Sequence, residues 1–163
     1  PVAGEQPSPP VTAPIVVEEP EGTDALPATA LVYDPLGDGT ESDDTVDNAI
    51  DGDRSTSWST EAYSRPIRDI KEGVGIVLDV AGTPGAIYIT GTAGTTYLIG
   101  WSEAVPDDPR DWSHIARGTL QAAEVRMQLP LRGGGLWRLW LTDLPEQQDG
   151  SYRAEIRDVS FTP

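Results

Sequence analysis

Residues 31–163 predict an all-β domain, an antiparallel β-sandwich or jelly roll. Three observations carry that expectation. After Trp58 the chain is a series of short runs rich in Val, Ile, Tyr and Trp. These are cut by Gly, Pro and Asp roughly every dozen residues, the texture of strands and turns. Residues 136–141 alternate with period two, so that Trp137, Leu139 and Leu141 share one face and Arg138, Trp140 and Thr142 the other. Only one stretch, 45–50, has the pattern of a helical turn.

Taken in order, residues 1–30 hold seven of the fifteen prolines, five acids and no basic residue. Such a segment cannot bury enough apolar surface to offset its ordering entropy, and it reads as an extended acidic linker, expected to be disordered. Ile15, Val16 and Val17 support the other option, a covering strand. Leu31, Val32 and Tyr33 begin the domain. Residues 34–53 then carry eight carboxylates and no basic side chain. Repulsion at that density calls for a solvated loop or a bound cation. Further strands are expected over 74–80, 86–90, 95–101, 114–118, 124–129, 136–141 and 153–161. A polar loop with Pro-Asp-Asp-Pro at its centre fills 102–111, and Gly133, Gly134 and Gly135 read as a tight hairpin.

Composition excludes several functions. The 163 residues contain 27 acidic and 11 basic side chains, a net charge of −16. Phosphate backbones would be repelled, so no nucleic-acid partner is expected, and anionic bilayers are disfavoured for the same reason. A divalent cation or a neutral glycan is compatible. There is no Cys, so disulfides and thiolate metal sites are excluded. No apolar run reaches the length that crosses a bilayer, so no direct membrane insertion is expected. The start at Pro1, without a signal-peptide pattern, reads as a piece of a longer protein. The single histidine, His114, has no nucleophile motif around it and reads as a half-exposed strand residue. Carboxylates are plentiful but concentrated in one solvated loop, so the chain reads as no enzyme.

Residues 48–58 are the most informative stretch. Ala49 and Ile50 lead into an Asp51-Gly52-Asp53 turn, then a hydroxyl run, then Trp58, large enough to anchor the loop on a core. Asp51, Asp53, Ser55 and Thr56 offer oxygens to the concave side, which is hard-cation chemistry suited to calcium. Equally, an Asx-type turn capped by its own side chains needs no ion. The aromatics Tyr63, Trp101, Trp112 and Trp140 are candidate ligand-binding residues, the first three foremost, since a ring beside Arg or Asp can stack on a sugar and bond its hydroxyls. Packing across the sheets would use the same rings.

The segment NAIDGDRSTSWST, the strand GIVLDV and the closing RAEIRDVSF resemble the discoidin-like, galactose-binding β-sandwich superfamily, which includes the family 32 carbohydrate-binding modules. A longer run, YDPLGDGTESDDTVDNAIDGDRSTSWSTEAY continuing into KEGVGIVLDV, is similar to the extracytoplasmic C-terminal domain of actinobacterial MviN/MurJ-type membrane proteins of peptidoglycan synthesis. The wider resemblance implies a structural calcium stapling the loop to the last strand. Its ligands would be Asp51, the carbonyls of Asn48 and Asp53, Thr56, the carbonyl of Ala154, and Glu155. The resemblance also implies a non-catalytic, envelope-located binding module in a membrane-anchored protein. Its partner would be a glycan, such as peptidoglycan or its lipid-linked precursor. The alternative is an interaction or scaffolding domain that contacts an envelope protein. The disulfide and the apolar spikes of the coagulation-factor members are absent, so phospholipid binding does not carry over.

Overall fold

A computed structural model describes residues 25–163. Among the described residues, nine strands form two antiparallel sheets. In chain order they are β1 (Ala28–Tyr33), β2 (Trp58–Ser59), β3 (Val74–Val80), β4 (Ala86–Gly91), β5 (Thr96–Ser102), β6 (Ser113–Thr119), β7 (Val125–Gln128), β8 (Leu136–Asp143) and β9 (Glu155–Thr162). One sheet has the order β1-β3-β8-β5-β6 and the other β2-β9-β4-β7. The expected β-sandwich is the observed fold. Among the described residues no helix is long and apolar enough to cross a membrane.

The period-two alternation explains how the sheets close on each other. Trp137, Leu139 and Leu141 of β8 point into the main core with Ile76 and Leu78 of β3, Ile87 and Ile89 of β4, and Ile156 and Phe161 of β9. Trp58 is fully buried at one end of this core, and its indole N–H donates to the carbonyl of Glu41 at 2.7 Å. Removing an indole of roughly 200 Å² from water is worth about 5 kcal/mol before ordering costs. That ring therefore fixes the acidic segment that precedes it. The expected helical turn is a short 3-10 helix, Asp43–Ala49, whose Val46 and Ala49 reach the same core.

Two sequence expectations need correction. The domain was expected to start at residue 31, but β1 begins at Ala28 and pairs with β3 from Ala28↔Val80 onward. The chain is tied down even earlier, since the Leu26 N–H donates to Phe161 and the Pro27 carbonyl accepts from Ala81. These backbone bonds outweigh a composition that reads as linker. The rest of the proposed linker, 1–24, lies outside the described residues. Second, Gly133–Gly135 is no hairpin, because β7 pairs with β4 in one sheet and β8 with β3 and β5 in the other. The glycines carry the chain between sheets across the Trp101 indole. Gly135 has φ 109°, and a Cβ there would sit 2.8 Å from the Trp101 ring.

Candidate ligand-binding site

The Asp-Gly turn is a hydrogen-bonded knot. The Asp53 N–H donates to Asp51 Oδ1 at 2.8 Å, and the Thr56 hydroxyl lies 2.6 Å from Asp51 Oδ2 and 2.8 Å from the Asp53 carbonyl. The Ser55 hydroxyl and backbone N–H both donate to Asp53 Oδ1 and hold that carboxyl below the usual carboxylate range. The Asn48 side-chain amide donates to the Ser57 carbonyl at 3.1 Å, joining the two ends of the loop. On the strand side the Ala154 carbonyl accepts from the Thr60 N–H at 2.9 Å. The Glu155 carboxylate lies 3.5 Å from Arg153 and 3.6 Å from Arg157.

In kind, these donors fit a hard cation, since every one is oxygen. In position, the loop oxygens are gathered, whereas the Glu155 carboxylate is placed between two guanidinium groups. Among the described residues, no three His, Asp or Glu side chains form a group that could hold a metal ion.

Of the sequence-predicted aromatics, Tyr63 and Trp101 stand apart, and Trp112 and Trp140 share one cluster. Tyr63 stands where the β8–β9 connection meets the acidic segment, in a bridge with Tyr152. Its hydroxyl is bound to both carboxylate oxygens of Glu41, and Lys71 lies 5.0 Å from its ring centre. Glu41 has no exposed surface. Burial raises its carboxyl above the usual range, against the opposing pull of Tyr63, the Glu61 N–H and Lys71. Beside Tyr63 a polar concavity of about 500 Å³ is lined by Ala62, Gln147, Gln148, Asp149, Ser151 and Arg153, with no aromatic ring in its wall. Trp101 stands at the other end of the sandwich. Its N–H donates to Gly134, and Arg132 lies 5.3 Å from its ring centre.

Trp112 is buried on the outer face of the five-stranded sheet, within a second cluster with Tyr33, Val77 and Trp140. Its N–H donates to the Tyr33 hydroxyl at 3.2 Å, and the two rings meet edge to face. The register places this cluster. Tyr33, Gly75 and Trp140 lie in one cross-strand row, while Leu31, Val77, Arg138, Gly100 and His114 lie in the next. Gly100 makes room for the indole, because a Cβ there would come within 3.2 Å of Trp112.

Arg138 completes the cluster. Its guanidinium carbon lies 5.2 Å from the Trp112 ring centre and 4.7 Å from that of Trp140, within cation–π range of both. Nη1 donates to the Pro109 carbonyl at 2.8 Å, and Nε is buried without a partner. Burial pulls the guanidinium down to about 10, opposed by Tyr33 beside it, so it stays cationic at neutral pH. Above it lies a concavity of about 330 Å³ walled by Trp112, Trp140, Arg138, His114 and the Arg110–Glu72 ion pair. Trp140 is among the sequence-predicted candidates, whereas Arg138 is not. The signal for Arg138 in the sequence is alternation, which places it with Trp140 on the face turned away from the core.

No family model matches the chain. Among solved structures, a family 32 carbohydrate-binding module of a glycoside hydrolase family 89 protein from Clostridium perfringens aligns with TM-score 0.54 and 17% identity. It covers 82% of this chain and 91% of that one. Chitosan-binding module 1 from a chitosanase/glucanase of Paenibacillus sp. IK-5 aligns with TM-score 0.56 and 18% identity, covering 85% and 96%. The chain has the fold of these modules. It also matches a Ruminococcus gnavus family 29 fucosidase with TM-score 0.57 and 14% identity, but spans only 25% of that enzyme.

Proposed function

We propose that this chain is a non-catalytic glycan-binding module. The carrying observation is the concavity over Trp112, Trp140 and Arg138. It combines indole carbon with a guanidinium, an imidazole and a carboxylate. Sugar rings present a C–H face and a rim of hydroxyls, and a site that joins aromatic surface to a few placed polar groups answers both. The two solved modules above add support, one being a carbohydrate-binding and the other a chitosan-binding module.

In this reading the module belongs to the extracytoplasmic part of an MviN/MurJ-type protein of peptidoglycan synthesis, and its ligand is the glycan or its lipid-linked precursor. The resemblance of the acidic segment supports that setting, as does the proline-rich, acidic composition of residues 1–24, which suits a spacer. Calcium is part of the proposal, held by Asp51, Thr56, Glu155 and the carbonyls of Asn48, Asp53 and Ala154, as a structural clasp.

One observation favours a second reading, a protein-contact domain. Beside the aromatic cluster an apolar groove of about 200 Å³ includes Leu31, 71% exposed, and Val105, 48% exposed, with Tyr33 and Leu136.

The deciding experiment is a titration of the isotope-labelled chain with soluble peptidoglycan fragments and neutral oligosaccharides, following the indole N–H resonances. Saturable shifts of Trp112 and Trp140 are expected. Indole signals that stay fixed through saturating saccharide would overturn the proposal, and shifts produced only by an envelope protein would favour the second reading.

A further inference from the structure

Arg138 is a charged group in an unusual position. It is only 6% exposed, and among the described residues no carboxylate forms an ion pair with it. The other buried cation of the chain's described part, Lys71, shows the ordinary arrangement, with Asp34 at 2.7 Å. Desolvating an unpaired cation is costly, and folded proteins rarely leave that cost without a counter-charge. The two flanking indoles and the Pro109 carbonyl offset part of it. Among the described residues, none of the many acidic side chains pairs with this guanidinium.

We propose that Arg138 is a subsite for a carboxylate, and that the ligand of this concavity is an acidic saccharide carrying a uronic or similar carboxyl group. This rests on the glycan-binding reading and narrows it. The planar guanidinium fork matches a carboxylate in geometry as well as charge. On the rim Arg110 is already paired with Glu72 at 2.7 Å, and that carboxylate opposes a doubly charged phosphate more than a monoanion. Gly100 lies beneath Trp112 and Arg138, since a Cβ there would crowd the Trp112 Cβ at 3.2 Å and reach ordinary contact with Arg138 Nε at 3.6 Å. A neutral sugar could stack on the indoles but would leave the buried charge uncompensated.

The test uses three matched probes, methyl glucuronoside, its methyl ester and methyl glucoside, titrated into the labelled chain while the Trp112 and Trp140 indole signals are followed. The acid is expected to bind about ten-fold or more tightly than the ester or the neutral glucoside. In Arg138→Gln the acid should lose its advantage and bind no more tightly than the ester. The comparison of acid with ester on the unmodified chain stands even if that variant folds poorly. Equal affinities for all three, with the indoles shifted, would overturn the carboxylate subsite and leave the glycan reading in place. Indoles unmoved by any probe would overturn both at this site. A glutamate-containing peptide that shifted the indoles at a tenth of the glucuronoside concentration would overturn the saccharide assignment in favour of a peptide ligand.

Discussion

The Tyr63 hydroxyl lies 2.8 and 2.7 Å from the two carboxylate oxygens of Glu41, a residue with no exposed surface and 22 positions earlier in the chain. Glu41 also accepts from the Glu61 N–H at 2.7 Å, and its carbonyl receives the Trp58 indole. One residue thus pins the acidic segment to the core at both side chain and backbone. Its raised carboxyl pKa fixes the sign of a pH effect. The folded state holds this proton to higher pH than the unfolded chain does. Its contribution is therefore fully present below the unfolded value of 4.5 and is lost as pH rises through the raised folded value. Glu41→Gln should remove that slope, so the variant gains stability relative to the native chain as pH rises from 4.5 toward neutrality. Glu41→Ala should lose about 1–3 kcal/mol by leaving the Tyr63 hydroxyl and Glu61 N–H unpartnered. Urea denaturation of the three proteins across pH 4–7.5 reads both effects, and parallel curves for the native chain and Glu41→Gln would refute the first.

The outer aromatic cluster should contribute to stability although it lies outside the main core. Trp140 is buried against Tyr33 at a ring distance of 5.5 Å and against Arg138. Trp140→Ala removes the ring and also one wall around a buried cation. A loss of about 3–5 kcal/mol is expected in chemical denaturation. Ala in place of the exposed Leu131, also on an apolar residue, should change stability by less than about 0.5 kcal/mol.

How far the fold was legible follows from which forces are local. The run 74–80 coincides with β3, and the alternation in 136–141 assigned both faces of β8 correctly, because period-two patterning records which face is buried. The sequence did not reveal that the face bearing Arg138 and Trp140 would be covered as well. That depends on Tyr33 from the far edge of the sheet and Trp112 from the β5–β6 connection, and such long-range meetings leave no mark in local periodicity. For the same reason Tyr63, Trp101 and Trp112 could be recognised as ring-bearing candidates but not assigned to a common site. Composition alone misread residues 28–30, where pairing with β3 decides the conformation.

Gly135 should tolerate substitution far less than its neighbour two positions earlier. Its φ of 109° is a conformation that L side chains adopt only under strain, and an added Cβ would meet the Trp101 ring and the Ser102 carbonyl at 2.8 Å each. Gly133 has no such neighbour within 4 Å. Gly135→Ala is expected to cost about 1–3 kcal/mol, whereas Gly133→Ala should stay within about 0.5 kcal/mol of the native chain. Thermal melting resolves the pair. Near-UV circular dichroism adds a check, since only the first substitution should perturb the Trp101 environment.

Calcium is tested by linkage. An ion held only by the folded chain at a hundred times its dissociation constant would stabilise it by about 2.7 kcal/mol. For a domain of this size that corresponds to a rise of roughly 5–10 °C in melting temperature. Asp51 is the informative position, because its carboxylate is exposed to solvent and bonded only within its own loop, through Asp53 and Thr56. Asp51→Ala should therefore abolish the calcium-dependent rise while lowering the melting temperature in chelator only slightly. Identical transitions of the native chain in calcium and in chelator would instead assign the loop to its own hydrogen bonds. The Asp51–Thr56 contact at 2.6 Å and the Asn48–Ser57 bond at 3.1 Å would then be part of a clasp made without an ion.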